Sequence, residues 1–187
     1  MPLELLTPPA AEPVTLAQAK LHLRLDTDAD DDLVTRLIAA ARTRLEWYTG
    51  RAFLTQSWRQ WLDAWPQTNC VEIALPPLRN LTQLTFHRAD DTASDLDASL
   101  YQLDSASEPA RLVLKDTVAP PTNLRRFNAV SLTFTSGYGD DADDVPAPLR
   151  EALLELVAHL YQHRGDAPAE LPLTVLALSE PYRIFRI

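Results

Sequence analysis

Apolar residues recur at spacings of three and four from Leu33 to Tyr48, which predicts the chain's longest helix over residues 31–48. Leu33, Leu37, Ala41, Leu45 and Tyr48 form the stripe, widened by Val34, Ile38 and Ala40. Arg36, Arg42, Arg44 and Glu46 fall on the other side. Asp30, Asp31 and Asp32 stand at its start, where the helix dipole favours negative charge and an Asp side chain can cap free N–H groups. Thr49-Gly50 ends it, with Gly suited to a left-handed cap. A second stripe, Leu149, Leu153, Leu156, Val157, Leu160 and Tyr161, predicts another long helix from Pro146 to about His163. The two stripes are expected to pack on each other. Thr15-Leu16-Ala17-Gln18 is a capping box that opens a short helix to about Arg24, and a brief helical turn is expected over residues 172–178.

Between the helices the period changes to two. Strands are expected at residues 56–63, 71–75, 81–88, 100–103, 111–115 and 129–136. In the last of these Val130, Leu132 and Phe134 share one face. Residues 89–97 read as an acidic hairpin-like turn, and residues 1–14, with four prolines, as an extended leader. The expected fold is α+β. Two long helices and one short helix form a bundle from residues 15–50 and 146–164. A small antiparallel β sub-domain is inserted at 55–139, and an extended C-terminal arm runs over 171–187, all within one domain of residues 1–187.

Composition adds exclusions. A chain that is 46% hydrophobic and 23% charged can build a core, and a net charge of −9 opposes a tight grip on nucleic acid. The single cysteine, Cys70, excludes an internal disulfide and a Cys-based zinc site. The start of the chain carries no signal-peptide pattern, and no run suits a membrane span. With fifteen prolines against four glycines, the turns are stiff and prolines mark element ends.

The candidate chemistry is thin. Asp26, Asp28 and Asp30 match the opening positions of a calcium loop, but the sixth position is Asp31 rather than Gly and the twelfth is Leu37 rather than Glu. A solvated acidic turn is the reading that remains. Glu155, His159 and His163 are spaced i, i+4, i+8, and a metal-dependent hydrolase built on them is the alternative function, although the H-E-x-x-H order is absent. No nucleophile elbow, P-loop or dinucleotide fingerprint occurs. Asp140-Asp141 and Asp143-Asp144 read as solvated loop charges. Trp58, Trp61 and Trp65 could stack bases, but without interleaved Lys they read as packing residues. No catalytic residue, metal ligand or cofactor is therefore assigned.

The tail is the most informative stretch. Tyr182, Ile184, Phe185 and Ile187 are large and apolar, interleaved with Arg183 and Arg186, whereas chain ends are usually polar. Burying four such side chains yields roughly 2 kcal/mol each. Ordering the backbone costs roughly 1–2 kcal/mol per residue. The two nearly cancel, so such a segment either folds back as an edge strand or docks on another subunit with help from sheet hydrogen bonds or many copies.

Several stretches, in order, resemble the head–tail connector (adaptor) proteins of tailed bacteriophages and gene transfer agents. They are VTLAQAKLHLRLD, LIAAARTRLEWYTGRAF with Gln56-Ser57-Trp58, the Leu75-Pro76-Pro77-Leu78 corner, Tyr101-Gln102-Leu103-Asp104, AVSLTFTSGYGDDADDVPAPLREALLELVAHLYQHR and LPLTVLALSEPYRIFRI. The resemblance implies a structural, non-enzymatic protein made in the bacterial cytoplasm and sited in the neck of a virion or phage-like particle. It would form a ring, commonly of twelve copies, under the portal protein and join it to a stopper or tail-completion protein. DNA would pass through the channel without specific binding, and no membrane is involved. The arm residues Tyr182, Arg183, Ile184, Phe185, Arg186 and Ile187 would bind the portal. A stopper or tail-completion protein elsewhere in the neck is a second alternative. The resemblance departs in the proline-rich leader and in residues 89–97, where the family often has a glycine.

Overall fold

The computed structural model describes residues 2–164 and 170–184. It is an α+β fold of helices and antiparallel sheets, and the chain divides into two units. One comprises residues 1–9 and 55–137, the other residues 10–54 and 138–187.

The first unit is built of sheets. Strands β1 (Leu3–Thr7), β2 (Gln56–Leu62), β4 (Leu78–His87), β5 (Ala93–Asp95) and β8 (Val130–Ser136) form a five-stranded sheet in the order β1-β2-β8-β4-β5. Strands β3 (Cys70–Ile73), β6 (Tyr101–Asp104) and β7 (Ala110–Leu114) form a second sheet in the order β3-β7-β6. β8 is the central strand, in continuous register with β2 from Val130↔Leu62 to Ser136↔Gln56. Its inner face is the expected one: Val130, Leu132 and Phe134 are fully buried and pack with Leu84, Leu112 and Ile73. Gln60 is also fully buried. Its Nε2 donates to the Glu72 carbonyl and its Oε1 accepts from the Ala74 N–H, both at 2.9 Å, which ties β2 to the chain at β3.

Two segments differ from the sequence expectation. The leader contains a true strand, β1, with Leu3 opposite Gln60 and Leu5 opposite Trp58. Its run LELLT lacks a period of two and leaves Leu5 and Leu6 exposed, so only the pairing with β2 defines it. The acidic stretch 89–97 contains β5, where Asp95 accepts from Thr85 Oγ1 at 2.7 Å and Gln83 Nε2 at 2.8 Å. Side-chain bonds there replace the apolar pattern that normally announces a strand.

The second unit is helical: α1 (Leu16–Leu23), α2 (Asp31–Thr49), α3 (Ala147–Gln162) and α4 (Leu173–Ser179). The Thr15–Gln18 capping box is present, and Arg24 closes α1 in the left-handed region. Val34, Ile38, Ala41 and Leu45 of α2 are buried with Leu149, Leu153, Leu156 and Val157 of α3. The stripe of α2 is thus centred one position from Leu33 and Leu37, and Ala40 is exposed. Glu46 is buried and belongs to the inner side, because its carboxylate is fully used. Oε1 accepts the Phe53 N–H at 2.8 Å and Oε2 accepts Arg42 Nη1 at 2.9 Å. The other edge of Arg42 holds Glu12 at 2.7 Å, which fastens the chain before α1 to α2. Asp30 precedes α2 without a side-chain cap bond; its carboxylate instead accepts the hydroxyl proton of Tyr161 from α3. The chain leaves and rejoins this unit side by side: Tyr138 N–H donates to the Phe53 carbonyl at 2.9 Å, and Leu54 bridges Gly139.

Candidate functional site

The C-terminal segment follows α4 directly. Glu180–Tyr182 form a 3-10 turn, after which Arg183 is extended. This root of the arm is seated on the last turn of α2. Gly50 caps α2 with a φ of 70°, and Ile184 Cβ lies 3.5 Å from where a side chain at Gly50 would start. The Ile184 N–H donates to the Thr49 carbonyl at 2.8 Å, and Arg51 Nε donates to the Tyr182 carbonyl. Tyr48 donates its hydroxyl proton to Glu180, and the Arg183 guanidinium lies 4.9 Å from the centre of the Tyr48 ring. The hydrogen bond to the Glu180 carboxylate holds the Tyr48 phenol above its ordinary range. Tyr182 packs against the helical core. Of the six arm residues singled out by sequence, Tyr182, Arg183 and Ile184 are thus placed together at one helix end. Phe185, Arg186 and Ile187 lie outside the described residues.

The helical Glu155, His159 and His163 do not form a metal centre, and the hydrolase reading is corrected here. Among the described residues, no group of three or more His, Cys, Asp or Glu could hold a metal ion. α3 ends at Gln162, and His163 leaves helical geometry as its cap, with its Nδ1 2.9 Å from the His159 carbonyl. Glu155 is instead 3.8 Å from His22 Nε2 on α1. Positions i and i+8 are also some 80° apart around a helix of 3.6 residues per turn, so the triplet winds off one face. The acidic turn holds Lys20, which is bound by Asp31 at 2.7 Å and by Asp28. These partners raise the Lys20 ammonium above its usual value and lower the Asp28 carboxyl.

Trp61 in the sheet unit is flanked by Arg59 and Arg125, each 5.6 Å from its ring, and by His87 at 5.3 Å. Trp65 meets Phe86 edge-on and donates to Asn69. Trp58 and Trp65 pack against the hydrophobic core of the sheet unit, whereas Trp61 lies between the two arginines. Sequence reading passed over Trp47, which is 87% exposed on the outer side of α2. The signal was legible: Trp47 lies opposite the buried Val34–Ile38–Leu45 stripe.

Residues 13–82 match the family model of the phage gp6-like head-tail connector protein. Chains from three solved structures are similar along their length. One, from the neck of an empty gene transfer agent particle computed with C6 symmetry, is 26% identical with a TM-score of 0.82. One from the virion of a native gene transfer agent particle is 25% identical with a TM-score of 0.83. One from the neck of a native particle computed with C12 symmetry is 26% identical with a TM-score of 0.81. Each comparison covers 100% of this chain and 97% of the other. The chain is thus similar to phage gp6-like head-tail connector proteins over residues 13–82, and to gene transfer agent neck and virion chains along its whole length. No curated protein matches the chain. No helix among the described residues is long and apolar enough to cross a membrane.

Proposed function

We propose that the chain is a head–tail connector, the structural adaptor of a phage-like neck: a ring beneath the portal that joins it to the stopper or tail and surrounds the DNA path. The observation that carries this reading is the end-to-end likeness to gene transfer agent neck chains, which leaves no appreciable part of either chain unmatched. The particle symmetries of those structures support a ring, and twelve copies is the number we favour. The body of the adaptor is the bundle of two long helices and one short helix, with the β insertion falling between them in sequence. A net charge of −9 supports passage of DNA without adhesion, since like charge repels the phosphate backbone. No cofactor enters this function.

The arm, Tyr182 to Ile187, is proposed to bind the portal. Its root at Thr49 and Arg51 supports the assignment, because a fastened root lowers the entropy lost when the remaining residues dock. Deleting residues 185–187 spares the contacts of Tyr182 and Ile184. Such a variant is expected to fold normally and to fail to co-sediment with portal-containing heads. Wild-type attachment would refute the arm's role, and electron microscopy that located the connector outside the neck would refute the adaptor reading.

A further inference from the structure

The helical unit carries two outward stripes of the same geometry and opposite character. On α2, Arg36, Ala40, Thr43 and Trp47 follow the spacing i, i+4, i+7, i+11 on the side away from the buried stripe, and all four are exposed. Trp47 and Arg44 there edge a shallow apolar groove over Ala39 and Ala40. On α3, Glu151, Glu155, Ala158 and Gln162 repeat the same spacing on the side away from Leu149, Leu153 and Leu156. Beside them a hollow of about 540 Å³ is lined by His22 and Leu23 of α1, Glu155 and Ala158 of α3, Tyr161 and Pro172. α2 and α3 face each other through their buried stripes, so these outer stripes lie on opposite sides of the unit.

We propose that copies of the connector meet head to tail through these stripes, with Trp47 of one copy seated in the Ala158 hollow of the next. This rests on the ring reading above and assigns the faces that make the ring. A closed ring needs a heterologous contact, in which two different faces on opposite sides of one subunit complement each other. The two stripes meet that demand. Arg36 and Arg44 on one oppose Glu151 and Glu155 on the other, and Ala40 and Ala158 are small enough at the stripe centres for two helices to approach closely. A tryptophan left almost wholly in water is an uncommon use of a large apolar ring, and tryptophans are enriched among the anchors of protein interfaces. The identical spacing lets one stripe run along the other over three turns.

The deciding experiment uses assembled particles that carry Trp47→Cys and Ala158→Cys in a Cys70→Ser background, treated with a bifunctional maleimide. The expected result is a ladder of multiples of the chain mass on a denaturing gel, absent from either single-cysteine variant. No ladder overturns the head-to-tail pairing. A dimer from Trp47→Cys alone also overturns it, because that marks a two-fold contact. In parallel, Trp47→Glu is expected to fold normally and to enter necks about tenfold less than wild type. Electron microscopy of the same particles separates the two ideas. A connector in the neck without a ladder keeps the adaptor reading and loses this interface. A ladder from connector located elsewhere keeps the interface and loses the adaptor reading.

Discussion

The Glu46 carboxylate accepts the backbone N–H of Phe53 at 2.8 Å, and the two residues are 9% and 0% exposed. The contact turns the chain back at the end of α2, and the same carboxylate holds Arg42. Glu46→Ala leaves a buried N–H without its acceptor and removes one partner of Arg42. It is expected to cost about 3 kcal/mol in denaturant unfolding. Glu46→Gln retains an acceptor for Phe53 and should cost less than half as much. Equal losses for both variants would show that the N–H contact does not matter.

Gln60 makes the corresponding contact within the sheet unit. Gln60→Leu keeps the volume but strands the Glu72 carbonyl and the Ala74 N–H. Unfolding should be easier by about 2–4 kcal/mol. Hydrogen exchange at Ala74 should rise before exchange in β8 does. An unchanged Ala74 rate would contradict the tie.

Gly139 has no room for a side chain: a Cβ there would lie 1.8 Å from Asp144 Oδ2 and 2.4 Å from Asp144 Cβ. Asp144 accepts the Asp141 N–H at 3.0 Å in the turn before α3. Gly139→Ala must therefore displace that turn, at an expected cost of about 1–3 kcal/mol. A thermal melt of the Gly139→Ala, Asp144→Ala pair should recover only part of the loss, since Asp144 Oδ2 is then gone while the Cβ at 144 still stands 2.4 Å away.

His87 sets a pH dependence. Burial, then the Arg125 and Arg59 charges, push its imidazole below the ordinary value, and Asp95 offsets this only in part. Its Nε2 is 3.1 Å from Ser131 Oγ. The folded chain thus favours neutral His87, while the unfolded chain takes up a proton near the usual value of about 6.5. The stabilisation is complete above that value and is lost as pH falls toward the folded pKa. Wild type should lose more thermal stability between pH 7.5 and 5.5 than His87→Gln does. Equal losses would remove His87 from the account.

The helices were legible because their burial is periodic. The same periodicity misplaced Glu46, since a carboxylate saturated by a backbone N–H and an arginine looks like any polar residue in sequence. Asp30 failed as a cap for a related reason: a tyrosine 131 positions away competes for its oxygen. β1 was hidden because its partner β2 lies far along the chain, and β5 because side-chain bonds to the neighbouring β4 stand in for an apolar alternation. At the arm, sequence identified the apolar character of Tyr182 and Ile184. It could not reveal that Thr49 and Arg51 hold their backbone.

The adjacency of Phe53 and Tyr138 has a practical consequence. Since 84 residues intervene between two points joined by one hydrogen bond, the helical unit could be re-closed across that gap with a minimal linker. The sheet would then behave as a removable cassette, open to exchange or enlargement without respacing the helices. β1 encumbers this, because it joins the cassette from ahead of the helical residues 10–54 and would have to travel with it.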